Sequence, residues 1–260
     1  MRYRQGAQER LRIFCLPHAG TGASHFRAWQ RLMPDDVTVY GVQLPGRESR
    51  LREPPHRRLV ELVGVLAEVI RPHLDVPFAL FGHSMGSWIS FELTRELRRR
   101  FGAEPVHLFL SGRRAPQLPG PHSTIHHLPD AAFIYALTDR YSGIPDAFLR
   151  EPELLQIFLP TLRADLAMVE TYRYAEDAVL ECPVSVFGGL DDISVSRAEL
   201  AAWRDQTRGP FRLQMFPGNH FFVQTAREAL ARTVAASLPA AVPTPPCGAT
   251  SLTVTALKDD

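Results

Sequence analysis

Six short runs of apolar, β-branched and aromatic residues recur along the chain, at Leu11 to Leu16, Val37 to Val42, Phe78 to Phe81, Val106 to Leu110, Val184 to Phe187 and Phe211 to Phe216. Runs this short, bounded by polar or turn-forming residues, predict strands. Between most of them apolar positions return every three or four residues. Leu59, Leu62, Val63, Leu66, Val69 and Ile70 make one such stripe, and Trp88, Ile89, Leu93 and Leu97 another. That spacing is one face of a helix. Strands alternating with helices predict an α/β fold, a doubly wound and mainly parallel sheet with helices on its faces.

The alternation stops between Arg113 and Ala178. Periodic apolar positions continue there at Leu154, Leu155, Phe158, Leu162, Leu166 and Val169, with no strand-like run, so residues 113–178 are expected to form an inserted helical lid. After Leu238 the chain turns into PAAVPTPPCGATSLTVTALKDD, which has no period and is expected to be a flexible Pro-rich tail over 239–260. A chain of 260 residues can bury one sizeable core, so 1–238 reads as a single domain carrying the insertion.

Composition narrows the classes. Hydrophobic residues make up 45% and charged residues 22%, the balance of a globular protein, and the formal net charge of +1 supplies no broad field for nucleic acid or an anionic membrane. The N-terminus is polar and no stretch approaches the ~20 apolar residues of a membrane span. Three cysteines, Cys15, Cys182 and Cys247, cannot all pair, which is the pattern of a reducing compartment. A cytoplasmic protein is expected.

The chemistry enters at Gly82-His83-Ser84-Met85-Gly86, which follows the strand PFALF and opens the helix SWISFELTRELRRR. A G-x-S-x-G segment between strand and helix is a nucleophile elbow: the glycines let the chain turn sharply while the serine is held exposed and strained at a helix N-terminus. A serine hydroxyl is a poor nucleophile at neutral pH, so it needs an imidazole to take its proton and a carboxylate to fix the imidazole. In this strand-turn-helix context the partners follow in the order serine, acid, histidine. After PVSVFGG come Leu190, Asp191 and Asp192; after FRLQMF come Pro217, Gly218, Asn219 and His220. His220 is therefore the expected base. Either aspartate could be the acid, and Asp192 is favoured because Gly189-x-x-Asp192-x-x-Val195 resembles the acid turn of α/β-hydrolases. An oxyanion hole needs two fixed N–H donors, expected from Met85 after the nucleophile and from Ala19 in the glycine-containing loop Leu16 to Gly22.

Taken together, the segments FCLPHAGTGASHFRAW, VQLPGRESRLREPP, LFGHSMGSWISFEL, LRADLAMVETYRY, VFGGLDDISVS and FPGNHFF resemble the type II thioesterases, free-standing editing enzymes of polyketide and non-ribosomal peptide synthesis with the α/β-hydrolase fold. The resemblance covers about residues 11 to 235. It implies hydrolysis of aberrant acyl groups from phosphopantetheine on acyl or peptidyl carrier domains, with no cofactor or metal of the enzyme's own. It puts the triad on Ser84, Asp192 and His220, the oxyanion donors on Ala19 and Met85, and a lid motif on Leu162 to Tyr174.

Three other readings share parts of this pattern. A small-molecule esterase or lipase would use the same triad and differ only in its pocket. An integrated chain-releasing domain would be tethered to a carrier, which the Met1 start ahead of the first strand disfavours. A non-catalytic acyl-binding protein of the same fold would not need all three triad members.

Overall fold

The computed structural model describes residues 9–120, 123–141 and 152–240. Each of the six expected runs forms a strand: β1 Leu11–Leu16, β2 Val37–Gly41, β3 Phe78–His83, β4 His107–Ser111, β5 Val184–Gly189 and β6 Phe211–Phe216. They make one sheet in the order β2-β1-β3-β4-β5-β6, parallel at every pairing. The helices are α1 Leu59–Ile70, α2 Met85–Phe101, α3 Asp130–Tyr141, α4 Pro152–Thr171, α5 Arg197–Ala201, α6 Phe222–Thr225 and α7 Arg227–Ser237.

Side chains alternate across a strand, so a strand buried on both faces must be apolar throughout. In β1 and β3 all six positions are buried, and apart from Arg12 and His83 every one is apolar or glycine. Phe14, Leu16, Phe78 and Leu80 go to one face, where α1 and α2 pack over them. Ile13, Cys15, Ala79 and Phe81 go to the other, against Phe26 and Trp29 of a 3-10 segment and Leu230 and Val234 of α7. β6 is an edge strand and alternates between half-buried and exposed positions up to Phe216. Val69 of α1, expected on the apolar stripe, lies at its margin and is exposed.

Between β4 and β5 the described residues hold α3 and α4 and no named strand. The expected tail from 241 onward, Cys247, His122, residues 142–151 of the expected lid and the Leu154 side chain lie outside what is described. Cys15 and Cys182 are buried and unpaired, and burial pushes the Cys182 thiol up to about 12. Among the described residues no helix is long and apolar enough to cross a membrane, and no group of three or more His, Cys, Asp or Glu is arranged to hold a metal ion.

In a parallel sheet the loops at the C-terminal ends of the strands gather along one edge. Those following β1, β3, β5 and β6 carry Ala19, Ser84, Asp192 and His220.

Candidate active site

Ser84 joins β3 to α2 with φ 53 and ψ −112, one of two non-glycine residues with positive φ among those described. Such a conformation persists only where its surroundings impose it, and here they do. A Cβ on Gly82 would run into the Gly86 carbonyl, and one on Gly86 would run into the Leu16 carbonyl at the end of β1. Both glycines are needed for strand, turn and helix to close this tightly, and the turn forces the serine outward.

Ser84 Oγ lies 2.9 Å from His220 Nε2, and His220 Nδ1 lies 2.8 Å from Asp192 Oδ2. A carboxylate only accepts, so Nδ1 carries the hydrogen and Nε2 is left to accept from the serine hydroxyl. The Asp191 side chain does not join this chain and is exposed. Burial alone would raise the Asp192 carboxyl, but the hydrogen bond and charge of His220, together with two bonds from Ser194, hold it below its ordinary value. Ser194 donates from both Oγ and N to Asp192 Oδ1, at 2.6 and 2.9 Å, and its Oγ also lies 2.9 Å from His220 Nδ1. This serine was not legible as a site residue, since nothing local distinguishes it from any polar turn residue.

Ala19 and Met85 line the same cavity as Ser84. Among the described residues neither of their N–H groups has a hydrogen-bond acceptor within the protein, Met85 being buried and Ala19 half-buried. The cavity has a volume of about 560 Å³. Leu155, Phe158, Leu159, Leu162, Leu166 and Val169 of α4 form one wall. This wall packs the protein and borders the cavity at once, since Leu159, Leu166 and Val169 are buried and still line it.

Histidines surround His220. His83, inside the elbow, is fully buried; its Nε2 is 3.0 Å from the His220 carbonyl and its Nδ1 is 2.9 Å from Ser111 Oγ. The carbonyl can only accept, so Nε2 donates, and in the neutral ring Nδ1 is left to accept from the Ser111 hydroxyl. Burial, and then the neighbouring imidazoles, push His83 and His18 well below their ordinary value; burial and then Arg227 push His25 to about 4.

An acid sensitivity follows. These imidazoles are held neutral in the fold, whereas the unfolded chain protonates its histidines below about 6.5. The unfolded state therefore binds more protons between about 6.5 and 4, and stability, complete above that window, is lost as the pH falls through it. His25 alone should cost roughly 1 to 2 kcal/mol by pH 5, and each kcal/mol lowers Tm by about 2–4 °C in a chain of this size. Thermal unfolding followed from pH 7.5 to pH 4.5 should show a continuous fall. A Tm constant across that range would mean that these rings already carry protons in the fold.

Comparison with known proteins places the chain. Residues 11–238 match the family model described as the thioesterase domain. The gramicidin S biosynthesis protein GrsT of Aneurinibacillus migulanus is 45% identical over 84% of this chain and 85% of its own. RedJ, a thioesterase from the prodiginine biosynthetic pathway in Streptomyces coelicolor, superposes with a TM-score of 0.82 at 39% identity, covering 88% of this chain and 86% of that one. BorB, a type II thioesterase from the borrelidin biosynthetic cluster, does so at 0.81 and 33% identity, covering 91% and 96%.

Proposed function

From the premise that the chain belongs to the type II thioesterase family, we propose that it hydrolyses acyl groups from phosphopantetheine thioesters on the carrier domains of a polyketide or non-ribosomal peptide synthase. In this reading Ser84 is the nucleophile, His220 the base and Asp192 the acid that orients it. The observation that carries it is the hydrogen-bonded line from Asp192 through His220 to Ser84, ending beside two unpartnered N–H groups at the foot of an apolar cavity.

The steps follow from the geometry. Ser84 Oγ attacks the thioester carbonyl as its proton passes to His220 Nε2, and the resulting oxyanion accepts hydrogen bonds from the Ala19 and Met85 N–H groups. Collapse expels the pantetheine thiolate, which takes the proton back from His220, and leaves the acyl chain as an ester on Ser84. Water then repeats the sequence in the deacylation half, with His220 again removing a proton. Asp192 holds the Nδ1 tautomer and stabilises the imidazolium in both halves. No cofactor of the enzyme's own is required, because the pantetheine arm arrives with the substrate.

Helices α3 and α4 act as the cover of this chamber, over which the arm must reach. The apolar wall of α4 suits an acyl chain better than a polar leaving group and limits the water near the acyl-enzyme. The test is release of free thiol from an acyl-loaded carrier domain, compared with the same acyl group on a short thiol. The carrier should win in kcat/KM, since binding energy from remote parts of a substrate lowers the barrier. Equal values, or activity confined to oxygen esters, would favour a general esterase.

A further inference from the structure

Asp165 interrupts the apolar face of α4 between Leu162 and Leu166, and its carboxylate is completely buried. Three donors meet it. Arg47, itself only 3% exposed, gives a two-pronged ion pair, Nη1 to Oδ2 and Nη2 to Oδ1, each at 2.8 Å. The third is the backbone N–H of Gly20, at 2.8 Å from Oδ2. Gly20 directly follows Ala19, and its φ of +77 turns the loop after β1 at the point where the oxyanion donor is presented. Arg47 adds a bond from Nη1 to the Thr21 carbonyl at 3.3 Å, and Thr161 Oγ1 donates to the Gly46 carbonyl at 2.6 Å. A helix over the cavity, the loop after β1 and the loop after β2 are thus joined at one buried charge pair.

We propose that Asp165 is a positioning residue for the oxyanion hole: through the Gly20 N–H it sets the peptide plane following Ala19, and Arg47 neutralises and aligns it for that task. The inference rests on the proposed function. Its consequence is that the donor loop and α4 form one unit, so the oxyanion hole is complete only while α4 is seated against the Arg47 loop. A substrate that seats α4 also completes the catalytic centre, and displacement of the helix withdraws a donor. A carboxylate engaged by a bidentate guanidinium and a backbone amide is a stiffer hold than apolar packing alone, because each bond fixes direction as well as distance.

Removing Asp165 alone would strand a buried guanidinium and could unfold the chain, whereas replacing both charges by apolar residues is often tolerated. The informative comparison is therefore between two neutral double variants. Arg47→Met with Asp165→Leu has no acceptor for Gly20; Arg47→Met with Asp165→Asn retains an amide oxygen for it. With active sites counted by a fluorophosphonate, the leucine pair should lose at least about 10-fold in kcat with KM little changed, given that removal of an oxyanion donor costs on the order of 100-fold or more. A boronic acid forming a tetrahedral adduct on Ser84 should bind more weakly by a similar factor, and the asparagine pair should recover most of both losses. Wild-type kcat and adduct affinity in the leucine pair, or identical losses in the two pairs, would overturn the proposal.

Amide hydrogen exchange at Gly20 gives a reading that needs no turnover. It should be slow in the wild type and in the asparagine pair, and fast in the leucine pair. If the wild type releases no thiol from any acyl thioester, the proposed function fails, and the exchange rates still decide whether Asp165 holds the loop. Fast exchange at Gly20 in the wild type would overturn the proposal even if the leucine pair does not fold.

Discussion

Ser84→Ala should give a folded protein whose release of thiol from acyl thioesters falls by about a million-fold, toward the residual supplied by binding and the oxyanion donors. The substitution removes one atom, Oγ, and keeps the Cβ, so the positive φ at the elbow is neither relieved nor worsened. Gly82 and Gly86 still allow the close approach of β1, β3 and α2, so Tm should stay near that of the wild type. What disappears is the atom 2.9 Å from His220 Nε2. The measurement is single-turnover acylation together with thermal unfolding. Activity above a tenth of the wild type, in a protein that melts normally, would require a different nucleophile.

The second large effect is at Asp192, the proposed acid. Asp192→Asn should lower kcat by about 10⁴, as it does where an aspartate paired to the catalytic imidazole is replaced. The reason lies in the tautomer. An asparagine can present its NH2 to Nδ1, which then accepts, and the ring hydrogen moves to Nε2, where it can no longer take the proton from Ser84. The Ser194 hydroxyl, 2.9 Å from Nδ1, could favour the same wrong tautomer by donating once its carboxylate acceptor is gone. Asp191→Asn should retain most of the rate, because that side chain is exposed and makes no bond to His220. A pair of steady-state measurements on the two variants decides the matter, and the opposite ranking would transfer the role to Asp191 while leaving Ser84 and His220 in place.

Much of this was legible before any coordinates. The strands announced themselves because burial on both faces demands short continuous apolar runs, and the helices because one covered face demands a return every three or four residues. The elbow was legible because the crowding that imposes glycine at 82 and 86 is created by neighbours within the same turn, together with the adjoining end of β1. His220 could be assigned from its place after β6, since a parallel sheet delivers its loops to one edge and the residue types there are few.

The remaining features depend on partners far apart in the chain. Whether Asp191 or Asp192 meets the imidazole is decided by which way the turn after β5 presents consecutive side chains, and sequence order is the same for both. His83 supports the carbonyl of a residue 137 positions later, and Asp165 meets Arg47 across 118 positions. The one local hint of Asp165 was a carboxylate set inside an apolar stripe, which signals that a partner exists without saying which. The residues of this chain therefore determined by themselves its strands, its elbow and the order of its candidate triad, because those follow from local spacing and from the rule that parallel strands end together. Only the tertiary structure decided which aspartate faces the histidine, what holds that histidine's backbone, and how the helix over the cavity is tied to the loop after β1. Those are outcomes of packing, where a buried charge or imidazole takes whichever partner the fold brings within hydrogen-bonding distance.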